Sequence, residues 1–167
     1  MDPAEFFKLC FTQRDEALLY LNSLSCEDKL PYFSYRLNKR FSILNFAAIL
    51  GDVDFVRYVI DNFPDTIDYV SLVDIIGDLS ENGSEDTLRI FLNSDKINIS
   101  QIFSDCRLIE KRAISGEKER CLEMLVEKRV EYATNKNLRQ DLNNLILDAV
   151  SAHNAECFKV LVNVYVK

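Results

Sequence analysis

The residues best suited to chemistry in this 167-residue chain are a single histidine and five scattered cysteines. His153 precedes Cys157 by four residues, about one helical turn, so the pair has the spacing of a thiol–imidazole couple for nucleophilic catalysis. His153 and Asn154 also fit a turn between two helices, where unusual backbone dihedrals are tolerated. Cys157 shares its position in a repeating pattern with Cys121, which is typical of small buried apolar side chains. The structural interpretation is favoured for both residues.

Two pairs of carboxylates have the spacing of acid–base catalytic groups, but a structural role explains them more simply. Asp52 with Asp54, and Glu117 with Glu119, each open a predicted helix, where negative charge complements the helix dipole. With one histidine and no C-x-x-C pair, the chain lacks the ligand spacing of a transition-metal site. We predict no catalytic residue, no cofactor and no metal, so the chain is expected not to be an enzyme.

Length and composition predict one mostly helical domain or one short repeat array. The chain contains four glycines and three prolines, too few for a glycine-rich phosphate loop or for the turns of a many-stranded sandwich. The five cysteines, odd in number, fit reduced thiols, and the start lacks a signal-peptide pattern. These features predict a soluble intracellular protein, cytoplasmic or nuclear.

The net charge of −7 is concentrated in the middle of the chain. Residues 61–105 contain ten Asp/Glu against two Lys/Arg. Such a field repels phosphate backbones and anionic lipid, which argues against nucleic-acid and membrane binding. It either forms a solvated surface or attracts a basic segment of a partner protein.

A pattern of two short helices joined by a turn recurs along the chain. Apolar pairs four residues apart follow a turn signal each time, and five equivalent apolar positions are spaced by 38, 32, 34 and 36 residues: Leu18, Val56, Leu88, Leu122 and Phe158. The predicted hairpins span about 3–24, 41–62, 71–93, 105–129 and 142–166. Gly51, Gly83 and Gly116 are expected at the same turn within three of them, and the linkers at about 25–40, 61–70, 93–105 and 127–141.

The second hairpin resembles the ankyrin repeat. Ser42-Ile43-Leu44-Asn45-Phe46-Ala47-Ala48 matches the opening T-P-L-H-x-A-A of that repeat, and Gly51 is followed by a second helix with apolar residues at the family positions. The resemblance implies an all-α helix-turn-helix solenoid of about ten short antiparallel helices. No repeat keeps the Pro or His of the motif, and the D-x-x-G turn is absent, so the β-hairpin fingers of the family are in question. Another superhelical family or a non-repeat helical bundle are the alternatives.

In the ankyrin family, partners bind inter-repeat loop tips and first-helix residues just before the glycine turn. This resemblance assigns eight candidate contact residues: Phe11, Phe41, Ile49, Leu50, Glu81, Asn82, Ile114 and Ser151. An apolar cluster of the first four beside an acidic middle repeat suits a basic partner segment with apolar anchors. The alternative is that the linker 25–40 covers Ile49 and Leu50.

The sequence therefore predicts a non-catalytic interaction module that binds or masks another protein, as an adaptor or a competitive inhibitor. The alternative is the interaction domain of a larger enzyme or receptor. That alternative, and self-association through the last hairpin, are suggested by the apolar segment 160–166, where a capping repeat would be polar.

Overall fold

The computed structural model describes residues 1–37, 41–105, 108–132 and 138–166, and over these ranges the fold is all-helical apart from one short ladder. Cys106 lies outside the described residues. The described helices are α1 Pro3–Thr12, α2 Arg14–Ser23, α3 Cys26–Ser34, α4 Ile43–Ile49, α5 Val53–Asn62, α6 Tyr69–Asn82, α7 Glu85–Asn93, α8 Ser100–Asp105, α9 Leu108–Ser115, α10 Glu119–Tyr132, α11 Leu138–Ser151 and α12 Ala155–Val166.

Short irregular elements lie between these helices. A two-stranded antiparallel ladder, β1 Arg36–Leu37 and β2 Phe41–Ser42, precedes α4. A 3₁₀ turn covers Pro64–Thr66. The ladder pairs Arg36 with Ser42 and Leu37 with Phe41, directly before α4.

Polar residues at the helix starts explain where several helices begin. The Asp2 carboxylate accepts the backbone N–H groups of Ala4 at 2.8 Å and Glu5 at 2.9 Å, which completes a capping box for α1. Ser42 and Asn45 form the corresponding capping box of α4. Each cap satisfies backbone donors that the first helical turn leaves unpaired.

Four of the turns between paired helices share one hydrogen-bonded geometry. The backbone N–H that follows the left-handed residue donates to the carbonyl five residues back, as in Asp52 to Ala47 at 2.9 Å. The left-handed residues are Gly51, Gly83, Glu117 and His153. Glu117, rather than Gly116, therefore occupies the glycine position of the fourth turn, which corrects the expected register there by one residue.

Paired helices contact each other and also the next pair along the chain. Contacts join α1 to α2, α4 to α5, α6 to α7, α9 to α10 and α11 to α12. Contacts between pairs join α4 to α6, α6 to α9 and α9 to α11, and likewise α5 to α7, α7 to α10 and α10 to α12. One continuous apolar core runs through the described helices.

Three expected linkers contain more helix than the sequence pattern indicates. Helix α3 fills much of the segment 25–40, and α8 lies within 93–105. Helix α10 continues to Tyr132 and α11 begins at Leu138, so the expected linker 127–141 is too long at both ends. Burial of Ile102 and Phe103 against the core explains why α8 forms although it has only six residues.

A buried ion pair ties α8, α9 and α10 together. Arg129 donates through Nε to Glu110 Oε1 at 2.6 Å and through Nη1 to the Phe103 carbonyl at 2.7 Å. Glu110 and Arg129 are both almost completely closed to solvent. Burial raises the pKa of the Glu110 carboxyl, against the opposing effect of the Arg129 hydrogen bond.

Candidate functional site

The histidine and the cysteine with catalytic spacing are placed in different environments. The His153 side chain is exposed on a turn, while Cys157 is fully buried and its backbone N–H donates to Asn154 Oδ1 at 3.0 Å. No hydrogen bond joins the two side chains among the described residues. Burial raises the pKa of Cys157 to about 11, so its thiol stays protonated at neutral pH.

The other buried cysteines behave in the same way. Burial also raises the pKa of Cys10 and that of Cys121 to about 11. Cys26 is exposed and lies in the first turn of α3. The described residues contain no group of three or more side chains suited to holding a metal ion.

The predicted carboxylate pairs carry structural roles. Asp52 caps α5 by accepting the backbone N–H of Phe55 at 3.3 Å, and it forms an ion pair with Arg14 of α2. Glu117 adopts the left-handed turn conformation and Glu119 lies in the first turn of α10. Asp52 therefore holds both a helix end and a neighbouring pair in position, while Asp54 and Glu119 lie in first helical turns.

The structure brings most of the predicted apolar contact residues onto one surface. Phe11, Ile49 and Leu50 are 51%, 41% and 57% exposed, and Phe41 is half-buried. The described part of the segment 25–40 therefore does not cover Ile49 and Leu50. The rings of Phe11 and Phe46 lie 3.9 Å apart between centroids. We define the apolar patch as Phe11, Phe41, Phe46, Ile49 and Leu50.

Aromatic contacts with the buried core support this patch. The buried ring of Phe7 lies 5.1 Å from that of Phe11 and 6.3 Å from that of Phe41, measured between centroids. Phe46 was missed by the sequence prediction, although it precedes Ile49 by three residues and Leu50 by four, the spacing of one helix face. The patch thus combines the end of α1, the strand β2 and the end of α4.

A groove adjoins the apolar patch where the first two helix pairs meet. Its cavity volume is about 30 Å³, and Phe46 and Leu50 line it together with Cys10 and Leu18. The Arg14–Asp52 ion pair also lines it. The groove offers an apolar floor with one paired charge at its edge, which suits an apolar side chain rather than a charged ligand.

The predicted contact residues of the third pair belong to an ion-pair cluster. Glu81 Oε2 accepts from Arg112 Nε at 2.9 Å, and Asp78 Oδ1 accepts from Arg112 Nη2 at 2.5 Å. Asn82 donates its side-chain amide to the Asp78 carbonyl at 2.8 Å. Arg112 reaches across α6 at Gly77, where an added Cβ would lie 2.5 Å from Nη1. The glycine within α6 therefore makes room for this arginine.

The predicted contact residues of the fourth and fifth pairs differ in exposure. Ser151 is exposed, but Ile114 is only 2% exposed and its carbonyl accepts from Asn154 Nδ2 at 3.2 Å. The assignment of Ile114 to the contact surface is wrong. Because Glu117 is the turn residue, Ile114 corresponds to the buried Ala48 rather than to Ile49.

Comparison of the chain with family models, with curated proteins and with solved structures gives no match. Within the described ranges, none of the helices combines the length and the apolar character needed to cross a bilayer. The geometry of the described residues is therefore the basis for the functional argument.

Proposed function

We propose that this chain is a non-catalytic interaction module, an ankyrin-like repeat array that binds or masks another protein in an intracellular compartment. The observation that carries the proposal is the apolar patch. Phe11, Ile49 and Leu50 remain substantially exposed at the ends of α1 and α4, although burial of large apolar side chains is favourable. Covering such a surface with a partner lowers the free energy of the system, which favours binding.

The repeat interpretation is supported by the shared turn geometry. The left-handed residues Gly51, Gly83, Glu117 and His153 follow one another at spacings of 32, 34 and 36 residues. The pairs α4–α5, α6–α7 and α9–α10, which contain the first three of these turns, each contact the next pair along the chain. A stack of this type is ordered before binding, so its partner bears most of the ordering cost.

The chemistry of the patch and groove favours a partner segment with apolar anchors. A small aliphatic group of the partner would contact the groove beside Phe46 and Leu50, and larger apolar side chains would lie on the patch. Basic residues in the partner would be attracted by the net charge of −7 over longer distances. Their local gain is smaller, because Asp78 and Glu81 are already paired with Arg112.

The test is a double substitution of the patch, Ile49→Asp with Leu50→Asp. Because both side chains are exposed, the variant should keep its helicity and lose partner affinity by roughly 30-fold or more. Partners captured from a cell extract are quantified by mass spectrometry, and affinity is then measured with the purified partner.

A matched control separates binding from nonspecific charge effects. Leu19→Asp with Val70→Asp introduces the same two charges at exposed apolar positions outside the patch. This control variant should capture the same partner as the unchanged chain. Equal capture by the patch variant, with helicity intact, would refute the proposed surface, and loss of helicity would show that Ile49 and Leu50 belong to the core.

A second candidate is the interaction domain of a larger enzyme or receptor. The observation that favours it is the apolar surface formed by α11 and α12, which includes Leu147 and Val150. A stack that continued beyond this pair would cover that surface.

A further inference from the structure

The last helix pair, α11–α12, leaves open a position that earlier pairs bury. Counted from the left-handed turn residue, the position three residues before it is occupied by Ala48, Ser80 and Ile114 in the earlier pairs, and none of these is more than 2% exposed. The equivalent Val150 is 53% exposed. The difference arises from packing, because the same turn geometry fixes all four positions.

A second position repeats this contrast on the other helix of each pair. Val56, Leu88 and Leu122, five residues after the turn residue, are 0% exposed, whereas the equivalent Phe158 is 37% exposed. Each earlier pair contacts the pair that follows, as α6 contacts α9 and α10 contacts α12. The surface that α11–α12 presents is therefore of the kind that packs against another helical hairpin.

The described residues of this surface include no carboxylate that pairing would bury unpaired. We define the end face as Leu147, Val150, Phe158, Tyr165 and Val166, all exposed. At one end of the hairpin the Arg139 guanidinium lies over the Tyr165 ring, 5.8 Å from its centroid. Near the turn, at the other end, Glu156 forms an exposed ion pair with Lys159 at 2.7 Å. A neutral apolar centre of this kind can pack against a copy of itself without burying a lone charge.

The opposite end of the molecule is a poor complement to the end face. Glu5, Asp15 and Glu16 of α1 and α2 are exposed there, and Leu19, the exposed apolar residue of α2, lies within one helical turn of the latter two. Head-to-tail packing would press these carboxylates against Val150 and Phe158, and burying unpaired charge is costly. Packing of two end faces across a two-fold axis avoids that cost.

We propose that α11–α12 is a dimer interface that takes the same hairpin of a second copy of this chain, related by a two-fold axis. The apolar side chains of the end face supply the affinity, and the exposed Arg139 guanidinium stays at its rim.

Sedimentation equilibrium of the 19.3 kDa chain measures this directly. The unchanged chain should show a reversible monomer–dimer equilibrium at concentrations up to about 100 μM, the range of weak specific interfaces. Val150→Asp with Phe158→Asp should raise the dissociation constant by roughly 100-fold with unchanged helicity, because both positions are exposed in the monomer. Monomer alone in the unchanged chain would overturn the proposal.

A further variant tests the arrangement of the copies. Leu19→Asp should leave the dimer unchanged. Dissociation by Leu19→Asp, or growth of the unchanged chain into open-ended polymers, would indicate head-to-tail packing and overturn the two-fold arrangement.

Discussion

Gly51 and Gly116 are needed for different physical reasons although both lie at turns between paired helices. Gly51 has a φ of +71°, and an added Cβ would meet nothing within 4 Å. Gly116 is not the left-handed residue of its turn, but an added Cβ would lie 2.3 Å from the backbone oxygen of Glu81. The first glycine relieves backbone strain, and the second allows the fourth turn to approach the end of α6.

This difference predicts unequal costs for the same substitution. Gly51→Ala should lower the free energy of unfolding by about 1 kcal/mol, the strain of a left-handed Ala. Gly116→Ala should lower it by about 3 kcal/mol, because a backbone atom must move and α6 must separate from the turn. Chemical denaturation of both variants gives the comparison. Equal losses would mean that the close approach of Gly116 to Glu81 is not maintained in solution.

At the residue scale, the repeat register predicted the turn residues with uneven success. His153 is predicted at a turn because it occupies the repeat position of Gly51, and its φ of 54° places it there. Gly116 led the sequence prediction to the wrong register, since glycine is the usual left-handed residue and Glu117 is not. The buried position of Ile114 follows from that one-residue difference.

The short helix α8 depends on a charge that is buried two helices away. The Phe103 carbonyl of α8 accepts a hydrogen bond from Arg129 of α10, and Arg129 also pairs with Glu110 of α9. A second contact joins Arg129 Nη1 to Asp141 Oδ2 of α11 at 3.5 Å. Removing the arginine would leave the Glu110 carboxylate in the core, where an uncompensated charge is strongly destabilising.

Arg129→Met should therefore destabilise the chain in a pH-dependent way. At neutral pH the loss in unfolding free energy should be about 3–5 kcal/mol. The pKa of Glu110 is raised in the folded chain by burial, so the fold favours its protonated form. Removing Arg129 raises that pKa further, so the loss should grow as the pH rises from the folded pKa of the unchanged chain to that of the variant, and should be smallest below both, where Glu110 is protonated in both folded chains.

The matched control is Arg129→Met with Glu110→Gln, which removes the titrating group. Its stability relative to the unchanged chain should lack the additional pH dependence of the single variant. Denaturant unfolding between about pH 4 and pH 8 gives both curves. A pH-independent loss in Arg129→Met would contradict the burial of a charged Glu110.

At the scale of elements, long apolar periodicities were predictable and short docked segments were not. The second helices α5 and α7 follow from apolar pairs four residues apart. Helix α3 contains Pro31, and α8 has six residues, so local propensity gives little support to either. Packing of Phe33 and Phe103 into the core stabilises them instead.

Across the whole molecule, the concentrated negative charge is partly neutralised between helix pairs. Arg112 pairs with Asp78 and Glu81 of α6, and Arg120 lies 3.8 Å from Glu85 of α7. These contacts link consecutive pairs at exposed sites, where each contributes a fraction of a kcal/mol. The number of charged residues is evident from the sequence. Which carboxylates remain available to a partner depends on how the helix pairs stack.

The same limit explains why only part of the contact surface is predictable from the sequence. The exposure of Ile49 and Leu50 depends on the path of the segment before α4, which local pattern does not specify. The participation of Phe46 depends on α1 lying against α4, where Phe11 meets its ring. Both are properties of packing between elements distant in sequence.

The most direct test of the proposed function is hydrogen–deuterium exchange of the chain with and without its captured partner. Binding should slow exchange in α1, Pro3–Thr12, and in α4, Ile43–Ile49, with Phe41–Ser42 beside them, because these elements carry the apolar patch. Protection confined to α10 and α12, with α1 and α4 unchanged, would contradict the proposed function.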